Sequence, residues 1–222
     1  MFLARLLFGA AGGRDYKRFG LERLENDMFQ IMHRRAYDLA ACTNNKVSVY
    51  FNTKKLTCKT FENYVDLFLE EDKKSRVYER VNDRWEIVVG LNPFQQFEQV
   101  SFVNGSPTQD GGTHVDHVVS PIIKKITEQV KKKHPDLTIR SNYIKDNLFV
   151  LICATVSNPI FDSQTKNKCT NKTFGSTFKI KPDEIKKIIK LGITDNIAAI
   201  ANAKASKALN KDIGKKKNKI TI

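Results

Sequence analysis

No apolar run in this chain of 222 residues approaches the roughly 20 residues that a membrane-spanning helix needs, so no transmembrane segment is predicted and no membrane partner is expected. Cysteine is scarce as well: Cys42, Cys58, Cys153 and Cys169 are scattered, with no Cys-x-x-Cys spacing, which points to a reducing compartment and no zinc site. The start, MFLARLLFGAAGG, is a poor secretory leader because its apolar part is short and Arg5 interrupts it. The expected location is intracellular, not secreted. Acidic residues are the scarcer charge, 24 against 38 basic ones. A net charge of +14 and a pI near 9.6 favour a partner with many negative charges, of which nucleic acid is the usual one. Apolar residues at 41% and charged residues at 28% are ordinary for a globular chain of this length, which can hold one full domain and part of another.

Periodicity divides the chain into segments. From Leu21 to Cys42 the apolar Leu21, Leu24, Met28, Ile31 and Leu39 fall mostly on one helical face, predicting an amphipathic helix. VSVYFN at 47–52 alternates like a strand, and TFENYVDLFLE at 60–70 returns to helical or mixed patterning before the charged EDKKSR. That charged stretch is the expected domain boundary. Beyond it, RWEIVVGLN at 84–92 and FEQVSFVNG at 97–105 read as two strands joined by a short Asn-Pro turn. GSPTQDGG is a loop, and Thr113 with Asp116 has the capping-box spacing that opens a helix. Val115, Val118, Val119, Ile122, Ile126 and Val130 line one face of that helix, Pro121 is expected to kink it near His117, and it ends in Lys131, Lys132 and Lys133. LFVLICATV at 148–156 is the most apolar run of all and predicts a buried strand. FGSTFKI at 174–180 reads as a further strand, Pro182 opens a helix that Gly192 stops, and an alanine-rich helix follows from about 195 to 210. Seven lysines against one aspartate between Ala203 and Ile222 make a basic tail, either a solvated end or a linker lying along duplex DNA.

Several residues invite chemistry. Gln164, Thr165 and Lys166 follow the apolar strand in the loop NPIFDSQTKNK, so a buried strand delivers an amide, a hydroxyl and an amine to one rim. An ammonium can act as a point charge on a phosphate while its neighbours orient the ligand; solvated loop residues would look the same in sequence. His114 and His117 lack a third ligand, so a structural role at a helix start outweighs a metal pair. ENYVD at 62–66 spells the Asn and Asp spacing of a nucleotide pocket, but no glycine-rich lid follows it. Tyr37 reads as a packed helix aromatic rather than a nucleophile. The three lysines at 131–133 either favour the negative end of their helix, at about 0.3–1 kcal/mol each, or contact DNA.

FDSQTK after NP, GGTHVDHV upstream and RRAYDLAAC near the start occur in one order and at fitting distances. Together they resemble a type IIA DNA topoisomerase of the eukaryotic and large-virus branch, from about Asp15 to the C-terminus. The resemblance implies an α/β fold of the α+β two-layer kind, a transducer similar to ribosomal protein S5 domain 2, preceded by the C-terminal remnant of a GHKL ATPase domain. Its boundaries would be 1–14 unmatched, 15–70 ATPase remnant, 71–210 transducer and 211–222 basic linker. It implies further that Gln164, Thr165 and Lys166 sense the terminal phosphate of ATP, Lys166 contacting it with Gln164 as partner, and that Lys131, Lys132 and Lys133 resemble a DNA-contacting loop. ATP and Mg2+ are the implied cofactors, the Mg2+ held by parts of the enzyme outside this chain. The implied partners are double-stranded DNA, a second copy in a homodimer and the remaining topoisomerase domains. On this reading the chain is a fragment with a truncated or alternative start, without an adenine pocket or a DNA-cleaving tyrosine, and inactive alone. Its rivals are a stand-alone basic DNA- or RNA-binding module with an S5-like fold, and a mismatch-repair ATPase, which GGTHVD together with FDSQTK disfavours.

Overall fold

A computed structural model describes residues 3–6, 18, 20, 22–43, 46–69, 76–174, 181–203 and 206. Its first part comprises β1 (Leu3–Leu6), α1 (Asn26–Cys42), β2 (Ser48–Phe51), β3 (Lys54–Lys55) and α2 (Phe61–Val65). The strands form a small sheet in the order β1-β2-β3, parallel then antiparallel. The second part has β4 (Arg76–Asn82), β5 (Trp85–Leu91), β6 (Glu98–Val103), β7 (Ser106–Pro107), α3 (Thr113–Lys133), α4 (Ser141–Lys145), β8 (Leu148–Ala154) and α5 (Pro182–Ile188). Its five strands are ordered β4-β5-β8-β6-β7.

The unbroken apolar run of β8 has a simple cause: it is a central strand covered on both faces. Leu148, Val150, Ile152 and Ala154 join one core with Val115, Val118, Ile122 and Ile126 of α3 and with Ile185 and Ile188 of α5. Phe149 and Leu151 point the other way, with Val88 and Phe102, into a second core built from Ala36 and Ala40 of α1, Val49 and Phe51 of β2 and Phe61 and Tyr64 of α2. Residues 26–65 are thus the cover of the sheet's second face. The buried Tyr64 hydroxyl donates to Asp38 at 2.7 Å, and burial outweighs that bond in holding the Asp38 carboxyl above its usual range. The α/β class expected from the sequence is the fold observed.

Local expectations fared unevenly. β2 lies where alternation placed it, and α1 begins at Asn26 rather than Leu21. The strands at 85–91 and 98–103 exist but are not neighbours, because β8 lies between them, antiparallel to β5 and parallel to β6. β5 pairs instead with β4, a strand that the sequence reading did not anticipate. The Thr113 and Asp116 capping box does not form: Gly112 is the N-cap, no side chain caps the helix, and the Thr113 hydroxyl donates to the Cys169 carbonyl at 3.3 Å. α3 runs from Thr113 to Lys133 with Pro121 inside it. Gly192, at φ 93° and ψ 9°, breaks helical geometry between α5 and helical residues 194–203, as expected of a glycine stop. Residues 175–180 of the expected strand, most of EDKKSR, most of the first 17 residues and the basic tail at 211–222 lie outside the described residues.

Candidate functional site

β8 ends where a finger of chain begins, and two asparagines fix its base. Asn104, at φ 51°, receives the Val156 N–H at 2.7 Å and donates to the Val156 carbonyl at 2.9 Å, so β6 holds the exit of β8. Asn171 repeats the device across the finger, accepting from the Ile160 N–H at 2.7 Å and donating to the Asn158 carbonyl at 3.1 Å. Above them the two arms run antiparallel, with Thr170 N–H to Ile160 O at 2.8 Å and Asp162 N–H to Lys168 O at 3.2 Å. One arm also pairs with the loop before α3: Cys169 N–H reaches Gly111 O and Thr113 N–H reaches Cys169 O, each at 3.0 Å, and Asp110 N–H reaches Asn167 O at 3.0 Å. Only glycine permits this approach. A Cβ on Gly112, whose φ is 129°, would stand 2.1 Å from the Cys169 carbonyl oxygen and 2.7 Å from its nitrogen.

The tip is a tight turn. Lys166 N–H donates to Ser163 O at 3.1 Å, Lys166 takes a left-handed φ of 61°, and the Ser163 and Thr165 hydroxyls lie 2.9 Å apart. Gln164, Thr165 and Lys166 are all exposed. The Lys166 ammonium lies 5.9 Å from the centre of the Phe161 ring, and among the described residues no carboxylate forms an ion pair with it. Structure therefore brings the three sequence-predicted residues together on a braced, outward-facing turn, with donors suited to phosphate oxygens. Lys131, Lys132 and Lys133, exposed in the last turn of α3, are not part of that group. The finger docks at the start of α3, and a helix of 21 residues is about 30 Å long, so the two clusters occupy opposite ends of it.

The other candidates resolve into packing. His114 is fully buried, and its Nε2 lies 3.1 Å from the Thr108 hydroxyl, which in turn donates to Ser101 O at 3.0 Å. This chain of bonds ties the start of α3 to β6 and β7. Burial pushes the His114 imidazole down to about 4. His117 packs its ring against Phe174 and Trp85, with centroids 5.1 and 5.9 Å away. Asn63 donates its N–H to the Thr60 hydroxyl at 3.2 Å, and Asp66 pairs with Arg76, so ENYVD is a capped helical turn. Tyr37 stacks edge-on with His33 at 5.2 Å. Among the described residues, no group of three His, Cys, Asp or Glu side chains could hold a metal ion. No described helix is long and apolar enough to cross a membrane.

The His114 shift has a pH consequence. A histidine near 6.5 unfolded and near 4 folded stabilises the fold fully above pH 6.5; as pH falls to about 4 the unfolded state takes up the proton alone, and up to about 3 kcal/mol is lost. Urea midpoints of the wild type and His114→Gln should differ more at pH 7 than at pH 5. Equal differences would show that His114 does not titrate in this way.

What sequence reasoning missed are the supports: Asn104, Asn171 and the contact of Gly112 with Cys169. The Asn104-Gly105 pair and the doubled glycine at 111–112 were the available signals, but the partners lie 52 and 57 residues away.

A mixed five-stranded sheet, covered by helices on both faces and carrying an amide, a hydroxyl and an amine on an exposed turn past its central strand, defines an α/β domain. A family model described as DNA gyrase B matches residues 46–219, and the chain belongs to that family of type II DNA topoisomerases. DNA topoisomerase 2 of Arabidopsis thaliana is 39% identical over 217 residues, covering 94% of this chain and 15% of that protein. DNA topoisomerase 2 of Acanthamoeba polyphaga mimivirus is 39% identical over 207 residues, covering 90% of this chain and 16% of that protein. The crystal structure of the ATPase region of Saccharomyces cerevisiae topoisomerase II superimposes with a TM-score of 0.76 at 39% identity, over 84% of this chain and 48% of that one. The 43K ATPase domain of Thermus thermophilus gyrase B, at 14% identity and a TM-score of 0.57, shares the fold. The chain thus spans about one-sixth of the length of its full-length relatives.

Proposed function

We propose that this chain acts as the coupling segment of an ATP-dependent type II DNA topoisomerase, with residues 71–210 as transducer and 15–70 as the end of the ATPase domain. The observation that carries the reading is the braced finger tip. Gln164, Thr165 and Lys166 face outward on a turn held by six backbone and side-chain bonds through Cys169 and Asn171, with no ion pair among the described residues to occupy the amine. Such a tip suits the terminal phosphate of ATP bound in a pocket outside these residues. There Lys166 would balance charge developing on the transferred phosphoryl group, while Gln164 and Thr165 would orient it. The Mg2+ that accompanies ATP would be held elsewhere in the enzyme.

Movement of the finger would be felt at the other end of α3, since helix and finger share backbone bonds at Gly111 to Thr113. Lys131, Lys132 and Lys133 would meet the phosphates of double-stranded DNA there. Three phosphate contacts would make affinity fall steeply with salt, whereas lysines serving only the helix dipole would not. A homodimer and a nuclear or viral setting complete the proposal.

The test is a graft. Residues 15–222 replace the matching segment of Saccharomyces cerevisiae DNA topoisomerase 2, and ATP-dependent relaxation of supercoiled plasmid is measured. The graft should relax DNA only with ATP. A folded, DNA-binding graft that hydrolyses ATP without relaxing plasmid would sink the coupling role.

A further inference from the structure

α1 carries a stripe of rings at four-residue spacing, Phe29, His33 and Tyr37, which share one helical face and are only half-buried. Phe51 of β2 joins the stripe: successive ring centroids along Phe29, Phe51, His33 and Tyr37 lie 5.3, 4.6 and 5.2 Å apart. A cavity of about 510 Å³ opens between these rings and the β2–β3 hairpin, and its rim is basic. The hairpin turns at Asn52 and Thr53, both left-handed with φ of 46° and 69°. It sets Lys54 directly opposite Phe51, so the exposed lysine leaves the strand on the same side as the ring. Lys55 borders the cavity as well. On the other flank of His33 and Tyr37 lies a second cavity, of about 310 Å³, lined by Tyr64, Phe68 and the exposed Arg34. The Tyr64 and Phe68 centroids are 5.2 Å apart. The two cavities share His33 and Tyr37 as a common ridge, and among the described residues no carboxylate lines either one.

We propose that this groove binds unpaired nucleic acid, with one base in each cavity, the His33–Tyr37 ridge between them, and phosphates met by Lys54 and Lys55 on one side and by Arg34 on the other. Flat faces and positive charge together select the ligand. A base gains by stacking on aromatic side chains, and cations beside those rings require an anionic group on the same molecule. An aromatic cage alone would suit a quaternary amine, but the lysines repel one. Two adjoining cavities divided by one ridge fit successive bases of a strand, whereas a free nucleotide would fill only one of them. Duplex is disfavoured here because its bases are already stacked on one another. The net charge of +14 adds long-range attraction for any polyanion. The site is independent of the coupling function proposed above: α1 covers the face of the sheet opposite α3, the helix that carries Lys131, Lys132 and Lys133.

The experiment uses the whole chain and three fluorescein-labelled probes, read by fluorescence anisotropy over a range of salt: oligothymidylate of about 12 nucleotides, an abasic strand of the same length and charge, and a duplex of that length. Oligothymidylate should bind at least about 10-fold more tightly than the abasic strand. Tyr37→Leu keeps apolar bulk but removes the flat face, so it should weaken oligothymidylate by about 5–100-fold and leave the abasic strand unaffected. Lys54→Ala, at an exposed position, should lower the slope of log affinity against log salt by about 0.7, the loss of one phosphate contact on a single strand. Replacing Lys131, Lys132 and Lys133 by alanine should leave the preference for bases over abasic strand intact. If that preference vanished with the α3 lysines, the bases would sit elsewhere and the inference would fail, whatever became of duplex binding. Equal affinity for oligothymidylate and abasic strand, or an unchanged affinity in folded Tyr37→Leu, would overturn it too. Displacement of the oligonucleotide by a lower concentration of an acidic, tyrosine-containing peptide would assign the groove to a protein partner instead.

Discussion

Lys166→Ala in the grafted enzyme should lower the kcat for ATP hydrolysis by about 10²–10³ and slow relaxation in parallel, while the affinity for nucleotide changes only a few-fold. The magnitude follows from the loss of one positioned cationic donor at a centre of developing charge, typically about 2.7–4 kcal/mol. The selectivity follows from geometry. On the proposed reading Lys166 would reach the phosphate from an exposed turn, outside the walls that recognise the nucleotide. Backbone strain is a confounder, because residue 166 sits at φ 61° and a β-carbon there is already disfavoured. Lys166→Gly removes the amine while relaxing that strain, and it should show the same loss. Single-turnover hydrolysis beside equilibrium nucleotide binding separates the two quantities. If binding and turnover fell by equal factors in both variants, Lys166 would be a ground-state contact and its role in turnover would be lost.

Gly112→Ala should destabilise the isolated chain by about 3–5 kcal/mol, read as a drop in the urea midpoint without a change of slope. Two costs combine. The conformation at φ 129° is disfavoured for any residue with a side chain, and the new methyl would meet backbone atoms of Cys169 that no rotamer change can move. Relief requires the finger to leave the start of α3, which breaks Cys169 N–H to Gly111 O and Thr113 N–H to Cys169 O. Gly111 provides the contrast. Its φ of 66° is also left-handed, but a Cβ there would touch only side-chain atoms of Val115 and Gln99 at 3.4–3.6 Å, so Gly111→Ala should cost about 1 kcal/mol. Similar midpoints for the two variants would mean that the docking of the finger contributes little to stability.

The corrections share one physical origin. Two apolar runs separated by a short turn suggested neighbouring strands at 85–91 and 98–103. The sheet placed β8 between them because its unbroken apolar run, buried at six of seven positions and contributing to both cores, belongs in the middle. The capping pattern at Thr113 lost to a longer-range bond, since the Cys169 carbonyl takes the hydroxyl that would have closed the box. β4 escaped notice because Tyr78, Glu79 and Arg80 make it an edge strand whose pattern is mixed, with Val77 in the main core and Tyr78 against the second one.

By itself the sequence determined the pieces whose signal is local: the apolar face of α3, the length and burial of β8, the stop at Gly192, and the amide, hydroxyl and lysine set together at 164–166. Each depends on residues within a few positions of one another, so periodicity and turn chemistry are enough. Tertiary structure alone decided which strand lies in the middle, that residues 26–65 cover its second face, and that Gly112 must meet Cys169. The pairing of β8 with β6 joins residues 51 positions apart and the Gly112–Cys169 contact residues 57 apart, and no local preference encodes a partner at that range. They are selected only when burial of both faces of β8, satisfaction of buried backbone groups and close packing are solved together for the whole chain.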